Sequence, residues 1–187
     1  MRILSWNVNG LRAVYKKGFA EAVAHMDPDI LCLQETKLQE DQRSQEMINF
    51  DTYQSFWDYA STRKGYSGVA VYARKRPLAN RCGFGVERFD AEGRVIELDY
   101  GRFVLFNIYF PNGQKDDERL QYKLDFYRDF FSYADALKDQ GRSLIITGDF
   151  NTAHNEIDLK NPQSNKDRSG FLRIERDVLD DIISRGY

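Results

Sequence analysis

The 187-residue chain is 42% hydrophobic, 30% charged and 14% aromatic, with a formal net charge of −2. That apolar content excludes a disordered chain, and the length suffices for one domain with a sizeable core. A near-neutral balance excludes a polycation, so any affinity for nucleic acid must come from positive charge gathered on one face.

Residues 3–8 read as a strand ending in Asn7-Val8-Asn9-Gly10. Residues 11–26 read as one helix with Leu11, Phe19, Val23 and Met26 inward, stopped by Asp27-Pro28. Residues 29–35 are apolar at consecutive positions and read as a strand covered on both faces, ending in Glu35. Residues 36–49 are polar, with room for a short helix. Residues 53–57 are strand-like, and 58–66 form a loop carrying Arg63 and Lys64. A strand at 68–73 ends in Arg74-Lys75-Arg76-Pro77, and 84–92 is a turn-rich connector. Residues 94–100 and 102–109 read as an antiparallel hairpin closed near Gly101 and delivering Tyr109 to its end.

Residues 116–137 read as the longest helix. Leu120, Leu124, Tyr127, Phe131 and Ala134 form its apolar stripe, and Asp116 or Asp117 caps it. The apolar run 143–147 reads as a buried strand presenting the turn Gly148-Asp149-Phe150-Asn151. Residues 151–170 are irregular. A last helix starts near Phe171, with Ile174, Val178, Leu179 and Ile182 inward and Gly186 just past its end. No run has transmembrane length, and Met1–Ser5 lacks the long apolar region of a signal peptide. Cys32 and Cys82 lack metal-like spacing and read as reduced thiols, so the expected compartment is the cytoplasm.

Several strands thus end in polar residues: Asn7, Glu35, Tyr109, and Asp149 with Asn151. In a sheet covered by helices, strand ends form a rim where ligands bind. A carboxylate there can hold a hard cation or take a proton from water, and a carboxamide can donate to an anionic oxygen. Cleavage of a phosphate ester needs that combination. Each residue alone also has a structural explanation, since Asp and Asn close strand ends through Asx-turns. Arg12, Lys37, Arg63, Lys64, Lys115, Arg119 and Lys123 sit in or near loops on the expected rim side, where phosphate contacts give affinity without sequence preference. Arg119 and Lys123 fall on the exposed side of their helix, where a solvated charge is the default. Tyr66, in a Gly-flanked loop, is the aromatic residue best placed to touch DNA.

Read together, the segments resemble the exodeoxyribonuclease III family, which includes the AP (apurinic/apyrimidinic) endonucleases. The matching blocks are Ser5-Trp6-Asn7-Val8-Asn9-Gly10-Leu11-Arg12, Leu33-Gln34-Glu35-Thr36-Lys37 and Gly65-Tyr66-Ser67-Gly68-Val69-Ala70. Also matching are Phe89-Asp90-Ala91-Glu92-Gly93-Arg94-Val95-Ile96, Asn107-Ile108-Tyr109-Phe110-Pro111-Asn112-Gly113, Gly148-Asp149-Phe150-Asn151-Thr152-Ala153-His154, and Ser169-Gly170-Phe171-Leu172 with Glu175-Arg176. The resemblance implies one α+β domain over residues 1–187, a four-layer α/β/β/α sandwich. It implies Mg²⁺-dependent hydrolysis of DNA phosphodiesters, with Mn²⁺ as a substitute. The activities implied are incision 5′ to an abasic site, 3′→5′ exonuclease action and cleaning of 3′ ends on duplex DNA, by a protein monomeric at full length.

By position, Glu35 is the implied metal ligand with Asn7 beside it. Asp149 orients or deprotonates the attacking water, Asn151 contacts the scissile phosphate, and Tyr109 lies next to the phosphate or leaving group. Arg12, Lys37, Tyr66, Asn112, Arg119 and Lys123 are the implied DNA contacts.

The family pattern continues past the equivalent of Tyr187, into a Ser-Asp-His that contacts the phosphate. Here the histidines are His25 and His154, neither in such a motif. The reading is therefore of a chain lacking the C-terminal part of the domain. Its second sheet is incomplete, the strand at 143–147 and the last helix are uncovered, and its activity is impaired. His154 reads as structural, and His25 as a residue near a helix end. Two alternatives stay open: a superfamily phosphoesterase acting on inositol or lipid phosphates, and a non-catalytic DNA-binding fragment.

Overall fold

A computed structural model describes residues 1–187. The chain divides into two units, residues 1–109 with 140–149, and residues 110–139 with 150–187.

The first unit holds β1 (Ile3–Asn7), α1 (Leu11–Tyr15), α2 (Phe19–Met26), β2 (Ile30–Gln34), α3 (Gln45–Ile48), β3 (Gln54–Asp58) and β4 (Val69–Ala73). It continues with β5 (Ala79–Cys82), α4 (Glu87–Asp90), β6 (Val95–Asp99), β7 (Val104–Tyr109) and β8 (Leu144–Asp149). Two four-stranded sheets result, in the orders β1-β2-β4-β3 and β5-β6-β7-β8. In the first sheet β1 and β2 run parallel, with Asn7 opposite Gln34. In the second, β7 and β8 run parallel, with Tyr109 opposite Asp149. A parallel pair aligns its C-terminal ends, so each sheet brings two strand ends together. The other pairings are antiparallel.

The sheets pack face to face through Ile30, Cys32, Val71 and Ala73 from the first, and Ile96, Leu98, Leu105 and Tyr109 from the second. The outer face of the first sheet is covered by α1 and α2. Leu11, Phe19 and Val23 pack there on Leu31, Leu33 and Tyr72, with Phe50 and Tyr53 completing a cluster of rings. Covered on both faces, β2 and β4 are buried at every position, as their unbroken apolar runs require.

Gly148 makes the approach of β8 to β7 possible. Its φ is +143°, and a Cβ there would lie 1.8 Å from the Ile108 carbonyl oxygen. Only glycine allows this backbone to pair through to Asp149.

The first unit departs from the sequence reading at α1 with α2 and at β5. The helix expected over 11–26 is two helices, because Gly18 at φ +90° cannot continue a right-handed helix. The edge strand β5 was not expected: it is Ala-Asn-Arg-Cys, exposed throughout, with no alternation to mark it.

The second unit holds α5 (Asp117–Asp139) and α6 (Arg173–Ser184). Asp116 Oδ1 accepts from the Arg119 backbone N–H at 2.8 Å, capping α5. The rings of Phe110, Phe126, Tyr127, Phe130, Phe131 and Phe150 stack with one another or meet edge to face. The buried face of α5 includes Tyr127, Phe131 and Ala134 as expected, but also Lys123, Phe126 and Phe130, while Leu120 and Leu124 are only half-buried. On α6, Ile182 is buried, whereas Ile174, expected inward, is 52% exposed. No helix is long and apolar enough to cross a membrane.

Candidate active site

The parallel pair β1/β2 sets Asn7 beside the turn that carries Glu35, and the pair β7/β8 sets Tyr109 beside Asp149. Within the first unit these four side chains meet. Asn7 Nδ2 donates to Glu35 Oε1 at 3.0 Å and to Asp149 Oδ2 at 2.6 Å. The Asn7 Oδ1 accepts from the Asn9 backbone N–H at 3.0 Å. Lys37 Nζ lies 2.9 Å from Glu35 Oε2 and also donates to Asn9 Oδ1. The Tyr109 hydroxyl lies close enough to the Glu35 carboxylate for each to shift the other's pKa.

Burial alone would raise the Glu35 pKa. The hydrogen bonds from Asn7, Lys37 and Tyr109 outweigh it and hold the carboxyl below its usual range. Burial, and then the charge of Glu35, push the Tyr109 phenol well up, so at neutral pH it is a donor.

The turns after β1 and β2 are held tightly. Asn9, Glu35 and Lys37 have φ of +45°, +53° and +52°, left-handed values that non-glycine residues adopt at a cost. Backbone bonds lock them in place: Gly10 N–H to Glu35 O at 2.7 Å, Thr36 N–H to Gly68 O at 3.0 Å and Lys37 N–H to Ser67 O at 2.9 Å.

Directly behind the site, a buried polar clasp joins the two sheets. Gln34 Nε2 donates to Asn107 Oδ1 at 2.7 Å. Asn107 Nδ2 donates to the carbonyls of Leu33 at 3.0 Å and Ala70 at 2.9 Å. Both side chains are almost completely buried, so the network fixes the sheets against each other at the end that carries Glu35 and Tyr109.

The donor set suits a hard divalent cation. Glu35 and Asp149 bring carboxylate oxygens to one point, with neither thiolate nor imidazole among the groups that meet there. Asn7 turns its nitrogen, not its oxygen, toward both carboxylates. In that orientation it holds the oxygen donors in place.

Asn151 belongs to the second unit. At φ +50°, its Nδ2 donates to the Phe110 carbonyl at 2.9 Å and its Oδ1 faces Asn112 Nδ2 at 3.4 Å. Lys123 departs from expectation. It is not on the exposed side of α5 but fully buried, with Nζ at 2.6 Å from both Glu175 Oε1 and the Asn151 carbonyl. A lysine closed in this way cannot reach DNA. Arg12 is exposed on α1, and the Arg119 guanidinium lies 4.2 Å from the Tyr122 ring centroid. The Tyr66 hydroxyl accepts from Arg94 Nη2 at 2.8 Å. His154 has its Nε2 2.7 Å from Asp180 Oδ1. Sequence reasoning passed over Gln34, Arg94 and Asn107. The signal was present: an amide inside the apolar run Phe103–Ile108 has to find buried partners.

Residues 4–186 match the endonuclease/exonuclease/phosphatase family, and the chain belongs to it. Over its whole length the chain is 42% identical to an exodeoxyribonuclease of Bacillus subtilis, of which it spans 73%. It superposes on an AP endonuclease from Archaeoglobus fulgidus with a TM-score of 0.87 at 26% identity, covering all of this chain and 71% of that one. A 3′ phosphatase from Neisseria, solved with a product DNA hairpin, gives 0.86 at 26% identity, with the same coverage of 100% and 71%.

Proposed function

We propose that the chain carries the site of a Mg²⁺-dependent DNA repair phosphodiesterase, with Mn²⁺ as a substitute. Its reactions are incision of duplex DNA 5′ to an abasic site, 3′→5′ exonuclease action and clearance of blocked 3′ ends. The carrying observation is the convergence of Asn7, Glu35, Tyr109 and Asp149 at the ends of β1, β2, β7 and β8. Glu35 and Asp149 would hold the cation, and the bound metal would supply charge to neutralise the pentavalent phosphate in the transition state.

Asp149 accepts a hydrogen bond from water and orients it for in-line attack on phosphorus. With the Asn7 amide on one of its oxygens, Asp149 is fixed for that task. The phosphorus–O3′ bond breaks, and the proton shed by the attacking water, relayed from Asp149, ends on the leaving 3′ oxygen. Tyr109, kept protonated, donates toward the phosphate or leaving group. Asn151, two residues on in the chain, is assigned to the scissile phosphate. Arg12, Lys37, Tyr66, Asn112 and Arg119 are assigned to the DNA. The protein acts as a monomer in the cytoplasm, a setting that suits the two unpaired cysteines.

The test uses the 187-residue chain, a duplex with one abasic site, and inositol polyphosphate as the competing substrate class. Expected is weak, impaired incision that needs Mg²⁺, stops with chelator and disappears in Glu35→Ala and Asp149→Asn. Hydrolysis of the inositol phosphate but not of DNA would overturn the proposal. So would salt-dependent duplex binding without cleavage at saturating Mg²⁺.

A further inference from the structure

Arg94, one residue before β6, is 1% exposed and makes three side-chain hydrogen bonds. Its Nε donates to Glu92 Oε2 at 2.6 Å, Nη1 to the Tyr109 carbonyl at 3.0 Å and Nη2 to the Tyr66 hydroxyl at 2.8 Å. The Tyr109 backbone N–H, in turn, donates to the Arg94 carbonyl at 2.9 Å. Both main-chain groups of Tyr109 therefore end on this one residue. The guanidinium also lies 4.7 Å from the Tyr109 ring centroid and 5.4 Å from that of Tyr66. On Tyr66 sits a second guanidinium, that of Arg63 at 5.5 Å. The result is a ladder, Arg63–Tyr66–Arg94–Tyr109, running from an exposed loop to the phenol beside Glu35.

We infer that Arg94 is the positioning residue for Tyr109. It pins the peptide of Tyr109 at both ends and presses a flat cation on its ring, so that the hydroxyl stays aimed at the Glu35 carboxylate. It also ties the loop carrying Tyr66 to the same point. Glu92 supplies the countercharge that makes burial of the guanidinium tolerable. The task needs a planar fork with several donors and a face to stack, which lysine lacks. The inference rests on the reading that Tyr109 acts in phosphodiester cleavage.

The experiment compares Arg94→Lys and Tyr66→Phe with the parent chain by two readouts. One is the NMR signal of ¹³C-labelled tyrosine rings, without DNA, with Tyr109 assigned through Tyr109→Phe. The other is incision of the abasic duplex, with kcat and KM separated. In Arg94→Lys the Tyr109 ring signal shifts, and kcat falls about 10²-fold with KM changed by less than about threefold, as for a misplaced reacting group. Tyr66→Phe keeps the ring and the fold but loses one Arg94 contact, and moves both readouts the same way by less. It carries the test alone if Arg94→Lys does not fold. An unmoved Tyr109 signal in the folded variants overturns the inference. A moved signal with unchanged kcat leaves the positioning standing and removes Tyr109 from the reaction.

Discussion

Asn7 and Asp149 are 142 residues apart in the chain and 2.6 Å apart in the fold. The contact exists because the two sheets each carry a parallel pair whose ends meet at one place, and because Gly148 lets β8 pair through to Asp149. The same amide serves Glu35, so one small side chain sets the separation of two carboxylates.

That dual contact makes a sharp prediction. Asn7→Ala removes the shared donor and lowers kcat/KM for abasic incision about 10²-fold. Asn7→Asp keeps the shape but sets a third carboxylate against Glu35 and Asp149, so it is at least as damaging at neutral pH. Incision kinetics on both variants, with thermal melts to confirm folding, check this. An Asn7→Asp enzyme with normal kinetics would mean that the amide's donor role is unimportant.

The Gln34–Asn107 clasp predicts a coupled loss of stability and activity. Asn107→Leu takes away the donor to two buried carbonyls and the acceptor for Gln34. Unfolding free energy should drop by about 2–3 kcal/mol, the scale of buried polar groups left unsatisfied. Incision should fall further than the folded fraction explains, since the clasp lies one residue behind Glu35. Urea melts paired with kcat on the folded protein separate the two effects.

Asp58 predicts a pH dependence of stability unconnected with catalysis. Its Oδ2 is buried without a partner. Burial pushes its pKa up to about 7, against hydrogen bonds from the Val95 and Tyr59 backbone, with Asp90 adding to the rise. A carboxyl whose folded pKa lies above its unfolded value, about 3.9, favours the fold when protonated. Its contribution is complete below about pH 4 and is lost as pH rises through about 7. Asp58→Asn keeps an acceptor for the backbone N–H groups and abolishes this loss. The variant should therefore gain relative to the parent between pH 5 and pH 8, by a few kcal/mol at most. Denaturant melts across that range measure it; parallel curves for the two proteins would show that Asp58 does not titrate in the window.

Strand ends were the legible part of the sequence, for a physical reason. Apolar runs stop abruptly at Asn7, Glu35, Tyr109 and Asp149, and although each polar end alone could close a turn, four of them together mark a rim. The break at Gly18 and the edge strand β5 were less legible. A glycine within an amphipathic pattern gives no sign of its φ, and an exposed edge strand needs no hydrophobic face. The clasp and Arg94 were hidden by their isolation, since a single amide or guanidinium inside an apolar stretch shows that it needs partners without showing which. Lys123 misled in another way. A charged residue between apolar positions of a helix looks solvated, and only the fold supplies the Glu175 that takes it inside.

Lys123 and Glu175 give the last prediction. The pair is buried and bonded at 2.6 Å, and Glu175 also accepts from Ser169 Oγ at 2.7 Å and from the Gly170 and Leu172 backbone N–H groups at 2.6 and 3.0 Å. The ammonium holds the Asn151 carbonyl as well, so one ion pair joins α5, the turn after β8 and the start of α6. Lys123→Met strands a carboxylate in the interior and should cost about 3–5 kcal/mol. Lys123→Met with Glu175→Gln removes both charges and keeps the acceptor for Gly170 and Leu172, so it should recover most of that loss. Because the pair is out of solvent, the cost of the single variant should persist in 1 M NaCl. Duplex binding by the double variant separates this role from a DNA contact. A buried lysine leaves the slope of log K against log salt unchanged, whereas loss of one phosphate contact lowers it by about 1. A reduced slope would return Lys123 to the DNA surface.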